Sequence, residues 1–395
     1  MILKNLRNTI CNSFRDDRDF KLFLVVGMLS GIASGINSTV FNNFLNDVYH
    51  LSADARGVVE FPRELPGVLI MVVLGLLAFL GEIRIAAIGL CAAALGMLGL
   101  GVFSPTFASM LVWMMMFSLG THMVMPITPV IGMDLSKQES YGARLGRYSA
   151  YNLFATIGGY AIVWLGFKFL GLTYQIAFII AAAFYVLAAL SMGFMKINKP
   201  EYKKVKFVFR KKYVLYYILC IVNGARKQIF LTFAPWVLIQ IFHVGPPVFA
   251  VLGVVVSVVS IMTRKIVGNA IDIKGERFVL SLEAVLLFVI CLGYAFAGDI
   301  FSAGVAVIII AACYVIDNSM SAVEMARSTY VRKIAVDQAD VMPTLSAGTS
   351  IDHVVSMSIP VLGGLLWTAF GYQYVFLAAA GIAVLNMILS RRLEI

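Results

Sequence analysis

Apolar runs of roughly 20 residues follow one another along the whole chain, interrupted only by short charged clusters and Pro/Gly turns. Rising about 1.5 Å per residue as a helix, each run is long enough to cross a hydrocarbon core ~30 Å thick. Cutting the chain at those interruptions predicts twelve transmembrane helices, over 21–45, 55–80, 83–103, 106–133, 145–169, 173–195, 213–242, 246–270, 278–297, 300–325, 343–369 and 372–390. Hydrocarbon offers backbone N–H and C=O groups no partner, so spanning segments of this length must satisfy them internally, as helices. The pattern specifies an all-α polytopic membrane protein.

Composition agrees. Of 395 residues 13% are charged, against ~25% in soluble domains, and the mean hydropathy is +0.90. A net charge of +10 would suggest nucleic acid as the partner of a soluble protein. In a membrane protein it follows from Lys and Arg collecting on cytoplasmic loops, so the partner implied is the lipid bilayer and no nucleic acid is expected. Placing the N-terminus inside puts "GEIR", "DLSKQESYGARLGR", "DIKGER", "ARSTYVRKIAVDQAD", "RRLEI" and the central stretch "KINKPEYKKVKFVFRKKY", with its eight basic residues, on the same side. The opposite loops carry little beyond Arg56, with Lys168 close by. Both termini are therefore expected in the cytoplasm, and the host membrane is expected to be a bacterial inner membrane. Residues 1–20 are polar, lack a cleavable signal pattern and read as a cytoplasmic lead-in. Cys11, Cys91, Cys220, Cys291 and Cys313 are scattered without metal-ligand spacing, so neither a zinc site nor a disulfide framework is expected.

The basic loop 196–212 divides the chain into halves, 1–195 and 213–395, that resemble each other. The first span contains "SGINSTVFNNF" from Ser34 and the seventh "NGARKQIFLTF" from Asn223, sharing Gly35/Gly224, Val40/Ile229, Phe41/Phe230 and Phe44/Phe233 at a constant offset. The fifth and sixth spans read "GGYAIVW…GLTYQIAF", the eleventh and twelfth "GGLLW…GYQYVF". Two parallel six-helix repeats with a linker between them are a transporter architecture, with substrate bound near the midplane.

After the eighth span the chain reads Gly268-Asn-Ala-Ile-Asp272-Ile-Lys-Gly275-Glu-Arg277. This resembles the G-x-x-x-D-x-x-G-x-R/K loop signature of the major facilitator superfamily. The N-terminal copy, "GLLAFLGEIR", keeps Gly75 and Arg84 but has Phe79 in place of Asp. Together with topology and repeat, the resemblance covers essentially the whole chain. It implies two six-helix bundles working by alternating access, and a gating role for Asp272, Gly275 and Arg277 through charge pairs to neighbouring helix ends. The fifth span has Gly158-Gly159 but not the Gly-Pro of the family's efflux signature, which counts against a drug antiporter.

Ionisable residues inside membrane spans are rare, costly and by default functional. "EFPREL" places Glu60, Arg63 and Glu64 near the start of the second span, Arg63 about 12 Å deep. Glu60 shares a helix face with Arg63 and Glu64, and two carboxylates against one Arg leave a formal surplus of −1 for a proton or another cation. Pro62 and Pro66 each remove one backbone hydrogen bond, predicting a bent segment facing protein or a cavity. Arg226 and Lys227 lie about 20 Å from the cytoplasmic end of the seventh span, matched in the repeat by Asn37 and Ser38. They need anions, for which Glu60, Glu64, Asp317, Asp352 or an anionic substrate are the candidates. Asp352 beside His353 can relay protons or form an interhelical pair. Glu324 reads as a helix-end or gate residue. His122 with Met125 and His353 with Met357 leave metal transport as a minor alternative, since methionine is also an ordinary packing residue.

The function expected is a monomeric secondary transporter of a small polar solute, anionic or zwitterionic, coupled to protons, with sodium as the alternative ion. Export of drugs or amphipaths is the second reading. No nucleophile–base motif, phosphate-binding loop or metal-ligand spacing is present, so neither an enzyme nor a cofactor is expected.

Overall fold

The structure, a computed structural model, describes residues 18–135, 141–196, 210–337 and 340–393. Its helices are α1 (Arg18–Tyr49), α2 (Ala53–Leu77), α3 (Glu82–Val102), α4 (Phe107–Asp134), α5 (Tyr141–Phe169), α6 (Tyr174–Gly193), α7 (Val214–Gln240), α8 (Pro246–Ile300), α9 (Ala303–Ser319), α10 (Glu324–Ile334), α11 (Val341–Phe370) and α12 (Tyr372–Arg391). Short 3₁₀ turns add Ala78–Leu80, Lys211–Tyr213 and Met320–Val323. Among the described residues eleven helical runs are long and apolar enough to cross a membrane, and the chain is a multi-pass membrane protein. Sharp starts have local causes: the Thr106 side chain accepts from the Ser109 N–H, and Thr173 accepts from Ile176, capping α4 and α6.

Two predicted loops prove helical. The trace Pro246–Ile300 is 55 residues long, which as one rod would be about 80 Å. It is two helices meeting at Gly275, whose φ of 79° and ψ of 169° interrupt the helix. The break expected over "DIKGER" is thus confined to one residue, and only glycine adopts that backbone without strain. Gly81, just before α3, has nearly the same angles, φ 78° and ψ 160°. The stretch after Met325, expected as a loop, continues as α10 to Ile334, set off from α9 by a turn of 3₁₀ helix. α2 runs through both Pro62 and Pro66 as one helix.

The described residues pack as two compact units, one drawn from Met1–Phe41 and Leu69–Lys203, the other from Asn42–Val68 and Lys204–Ile395. In the first, α3 packs on α4 and α6, and α1 meets α5 through small residues. Cβ atoms added at Gly31, Gly35 and Gly159 would strike the carbonyls of Asn152, Thr156 and Ile32. Without a hydrophobic drive between helices in lipid, such close backbone approach is what holds them together. Gly159→Ala should therefore lower the thermal midpoint of the purified protein, at a cost of about 1–3 kcal/mol from overpacking. Gly158→Ala, where a Cβ would meet only the distant Ile32 side chain, should leave it unchanged or raise it.

The second unit holds the last turns of α1, most of α2, and α7–α12. Tyr294 stacks on Phe376 with ring centroids 4.4 Å apart, and Phe230 meets both edge-on at 5.7 Å, knitting α8, α12 and α7 into one core. The α1–α2 hairpin is tied in by Asn43 Nδ2 to the Val244 carbonyl and Gln240 Nε2 to the Leu51 carbonyl, both 2.8 Å. Gly57 of α2 lies against the Pro360 carbonyl, and Gly364 of α11 against Ala53. Near the start of α7 the Tyr213 hydroxyl donates to Asp340 at 2.7 Å and the Arg210 Nε at 2.7 Å, holding that carboxyl below its usual range.

A charged cavity and an ion-pair ladder in the second unit

The sequence "NGARKQ" in α7 sets consecutive side chains about 100° apart, so neighbours along the chain serve different partners. Arg226 Nη1 donates to Asp317 Oδ1 of α9 at 2.7 Å, with both groups buried, and its Nη2 reaches Asn223 Oδ1 at 3.2 Å. Lys227 Nζ pairs with Asp352 of α11. Gln228 Nε2 donates to Glu60 Oε2 of α2 at 2.8 Å. Gly224 makes the second of these possible, because a Cβ there would collide with the Asp352 carboxylate.

The 3₁₀ turn Met320–Val323 breaks the helical ladder just after Asp317, and α10 begins at Glu324. Arg327, one turn on, is buried and holds Glu283 of α8 at 3.2 Å while also donating to Asn223. Asn223 Oδ1 thus accepts from two guanidiniums. Glu324 reaches Arg327 Nε only at 3.6 Å and keeps 58% of its side chain exposed. Asn223, Arg226, Lys227, Asp317, Glu324, Arg327 and Asp352 wall a cavity of about 430 Å³, to which Asn318, Ser321 and Thr349 add further polar atoms and Tyr216, Leu231 and Met320 apolar surface, with Glu283 buried behind it. Small-molecule sites span roughly 300–1,000 Å³, so this one has room for a metabolite-sized solute.

A second cluster runs along α2. Arg56 is fully buried, donates to Glu60 Oε1 at 2.5 Å and reaches Asn42 Oδ1 through Nη2 at 3.0 Å and Nε at 3.2 Å, with its guanidinium 5.8 Å from the Trp236 ring centroid. Arg63 bridges Glu60 at 2.7 Å and Glu64 at 3.2 Å, and Glu64 Oε2 lies 3.0 Å from His353 Nδ1. Two arginines therefore face two carboxylates in this ladder, and the surplus of −1 expected from the sequence is absent. The sequence counts Arg56 with the outer loop although it falls at the edge of the predicted span 55–80; it lies in the first turn of α2. Asp352 and His353, adjacent on α11, serve the cavity and the ladder respectively.

Of the residues singled out in the sequence, Arg226, Lys227, Asp317 and Asp352 line the cavity, and Glu60, Arg63, Glu64 and His353 form the ladder with Arg56. Asn37 lies in the first unit, its Oδ1 buried without a hydrogen bond among the described residues. His122, also in the first unit, sits 3.1 Å from the Ser118 hydroxyl of its own helix. Asp272 and Arg277 flank Gly275, are exposed and make no ion pair among the described residues. The buried pair at that break is instead Glu276, fully enclosed, with Lys333 of α10 at 2.8 Å. Sequence reasoning missed Arg56, Glu283 and Arg327. Glu283 carried a signal, a lone carboxylate within the apolar "LSLEAVLL".

Solved structures share this fold along nearly the whole chain. A point mutant of the nucleoside transporter NupG superposes with a TM-score of 0.78 at 13% identity, covering 95% of this chain and 100% of its own. A bacterial homologue of the human lysosomal transporter Spinster, inward-facing and occupied, gives 0.71 at 16%, covering 94% and 95%. A D-xylose–proton symporter gives 0.68 at 14%, covering 95% and 97%. At such identities the likeness speaks for the fold alone. No curated protein sequence matches the chain. The sequence model of the Major Facilitator Superfamily matches residues 22–342, most of the chain, and with eleven apolar helices among the described residues and the shared fold this protein belongs to that family of membrane transporters.

Proposed function

We propose that the protein is a monomeric secondary transporter that moves a small polar solute, anionic or zwitterionic, driven by protons. The halves 1–195 and 213–395, joined by 196–212, would alternate access to the site, with both termini cytoplasmic in a bacterial inner membrane. The observation that carries this reading is the second unit's cavity, where Arg226–Asp317, Lys227–Asp352, Arg327 and Glu324 stand beside Tyr216 and Leu231. A lipophilic drug would have to desolvate those charges without replacing their contacts, whereas a polar solute replaces water contact for contact.

Lys227 and Asp352 are the half-open pair at the cavity wall, and a proton on Asp352 releases Lys227 to a solute. His353, beside Asp352, carries an imidazole, which can pass a proton between its two ring nitrogens. Glu60, Glu64 and Asp317 are the other proton carriers in reach of these networks. The break at Gly275, with Asp272 and Arg277 exposed beside the Glu276–Lys333 pair, is the gating element of this reading.

The test is uptake into proteoliposomes of solutes that stabilise the purified protein. An imposed pH gradient, acid outside, should drive accumulation that a sodium gradient does not. Asp352→Asn should abolish gradient-driven accumulation while retaining solute exchange. Accumulation driven by sodium alone overturns the proton coupling, and hits confined to lipophilic cations overturn the polar solute.

A further inference from the structure

Sorting the cavity's charges by partner, and counting with them Glu283, which lies buried behind the wall against Arg327, leaves one group over. Arg226 is matched by Asp317, Lys227 by Asp352, and Arg327 by Glu283. Glu324 is the fourth carboxylate, more than half exposed, with only a 3.6 Å contact to an arginine that Glu283 already holds. A charge open to solvent inside a cavity is available to a ligand in a way that a buried pair is not, because its partner does not have to be displaced. Among the three cations the same test selects Lys227, whose side chain is 36% exposed against 9% for Arg226 and 4% for Arg327. The cavity thus presents one accessible carboxylate, on the first turn of α10, and one accessible ammonium, in the middle of α7.

We infer that the cavity takes a zwitterionic solute, its cationic group docking on Glu324 and its anionic group on Lys227. This rests on the transport reading above and narrows the solute class within it. A simple anion would face Glu324 unmatched, and a simple cation would face Lys227. The charge arithmetic also closes on the coupling ion. The three pairs cancel and Glu324 leaves −1. A zwitterion adds nothing, and its carboxylate takes Lys227 from Asp352. One proton on Asp352 then brings the loaded site to zero, so solute and proton enter together. Asn223, Asn318 and Thr349 supply the remaining hydrogen bonds along the wall.

The experiment uses the purified full-length chain in detergent, with thermal shift and calorimetric affinity for the twenty protein amino acids. For each amino acid that binds, its decarboxylated amine and its deaminated acid are measured beside it, with D-xylose and uridine as neutral polar probes. The expected result is that at least one amino acid binds, and that its amine and its acid each bind at least tenfold more weakly. Glu324→Gln, at an exposed position where folding is not at stake, should weaken the amino acid and the amine tenfold or more. It should leave the acid's affinity unchanged. An unchanged amino-acid affinity in Glu324→Gln, or tighter binding of an acid, an amine, D-xylose or uridine than of any amino acid, overturns the inference and leaves the transport reading standing. Silence from every probe, in both binding and proteoliposome counterflow, overturns both.

Discussion

Arg226→Met should cost about 3–5 kcal/mol of stability and abolish transport, because it strands a buried carboxylate. Asp317 has its ion pair with Arg226 at 2.7 Å and is only 8% exposed, so the variant leaves it without its cation and with little water. The same logic predicts a milder defect for Asp317→Asn, whose amide oxygen still accepts from the guanidinium while Asn223 shares it. The double variant Arg226→Met/Asp317→Leu separates structure from function. Replacing both members of a buried pair by apolar groups is often neutral or stabilising, so the thermal midpoint should return most of the way to wild type. Solute uptake should not return, since the cavity wall has lost one of its charge pairs and the guanidinium contact to Asn223. A thermal midpoint in Arg226→Met equal to wild type would show that the pair does not hold α7 to α9. Recovery of uptake in the double variant would remove this pair from the site.

Much of this architecture is legible in one dimension, because in a bilayer length and hydropathy decide where a helix runs. The spans read as 83–103 and 372–390 fall within a residue or so of Glu82–Val102 and Tyr372–Arg391. The failures come where tertiary pairing overrides that rule. α10 is polar enough to read as a loop, yet it is helical and delivers Arg327 to Glu283, two buried charges that stabilise one another. Arg56 reads as a loop cation because it sits beside the turn after α1, and its burial depends on Asn42 and Glu60, which periodicity does not link to it. Which intramembrane charge pairs with which was likewise invisible, since the partners are 91 residues apart for Arg226–Asp317 and 289 for Glu64–His353. Arg226 and Lys227, read from sequence as cations awaiting an anion, already have one each, so the charge that remains open is negative. Composition along the chain records how many charges enter the membrane, whereas the balance at the site depends on how they are matched.

The ladder along α2 supplies the second large effect. Arg56→Met should destabilise the protein by about 3 kcal/mol, despite lying next to a turn, because the side chain is fully buried and serves two acceptors at once. Glu60 would keep Arg63 at 2.7 Å and Gln228 at 2.8 Å through Oε2, but Oε1 would lose its charge partner and Asn42 Oδ1 both of its donors. Arg56→Lys should recover little. One ammonium on a flexible stem does not reproduce a planar fork that bonds Asn42 through Nε and Nη2 and Glu60 through Nη1. Adding Glu60→Gln to Arg56→Met should recover more than the lysine does, because the stranded charge disappears with its partner. Arg63→Met should be the milder single change, since that side chain is 29% exposed and its carboxylates retain Arg56, Gln228 and His353. Thermal midpoints of the four variants in one detergent give the ranking, and an Arg56→Lys protein as stable as wild type would overturn the bridging role assigned to the guanidinium. If the ladder holds the α1–α2 hairpin as its contacts indicate, protease cleavage between Tyr49 and Ala53 should accelerate in Arg56→Met and be restored toward wild type by the added Glu60→Gln.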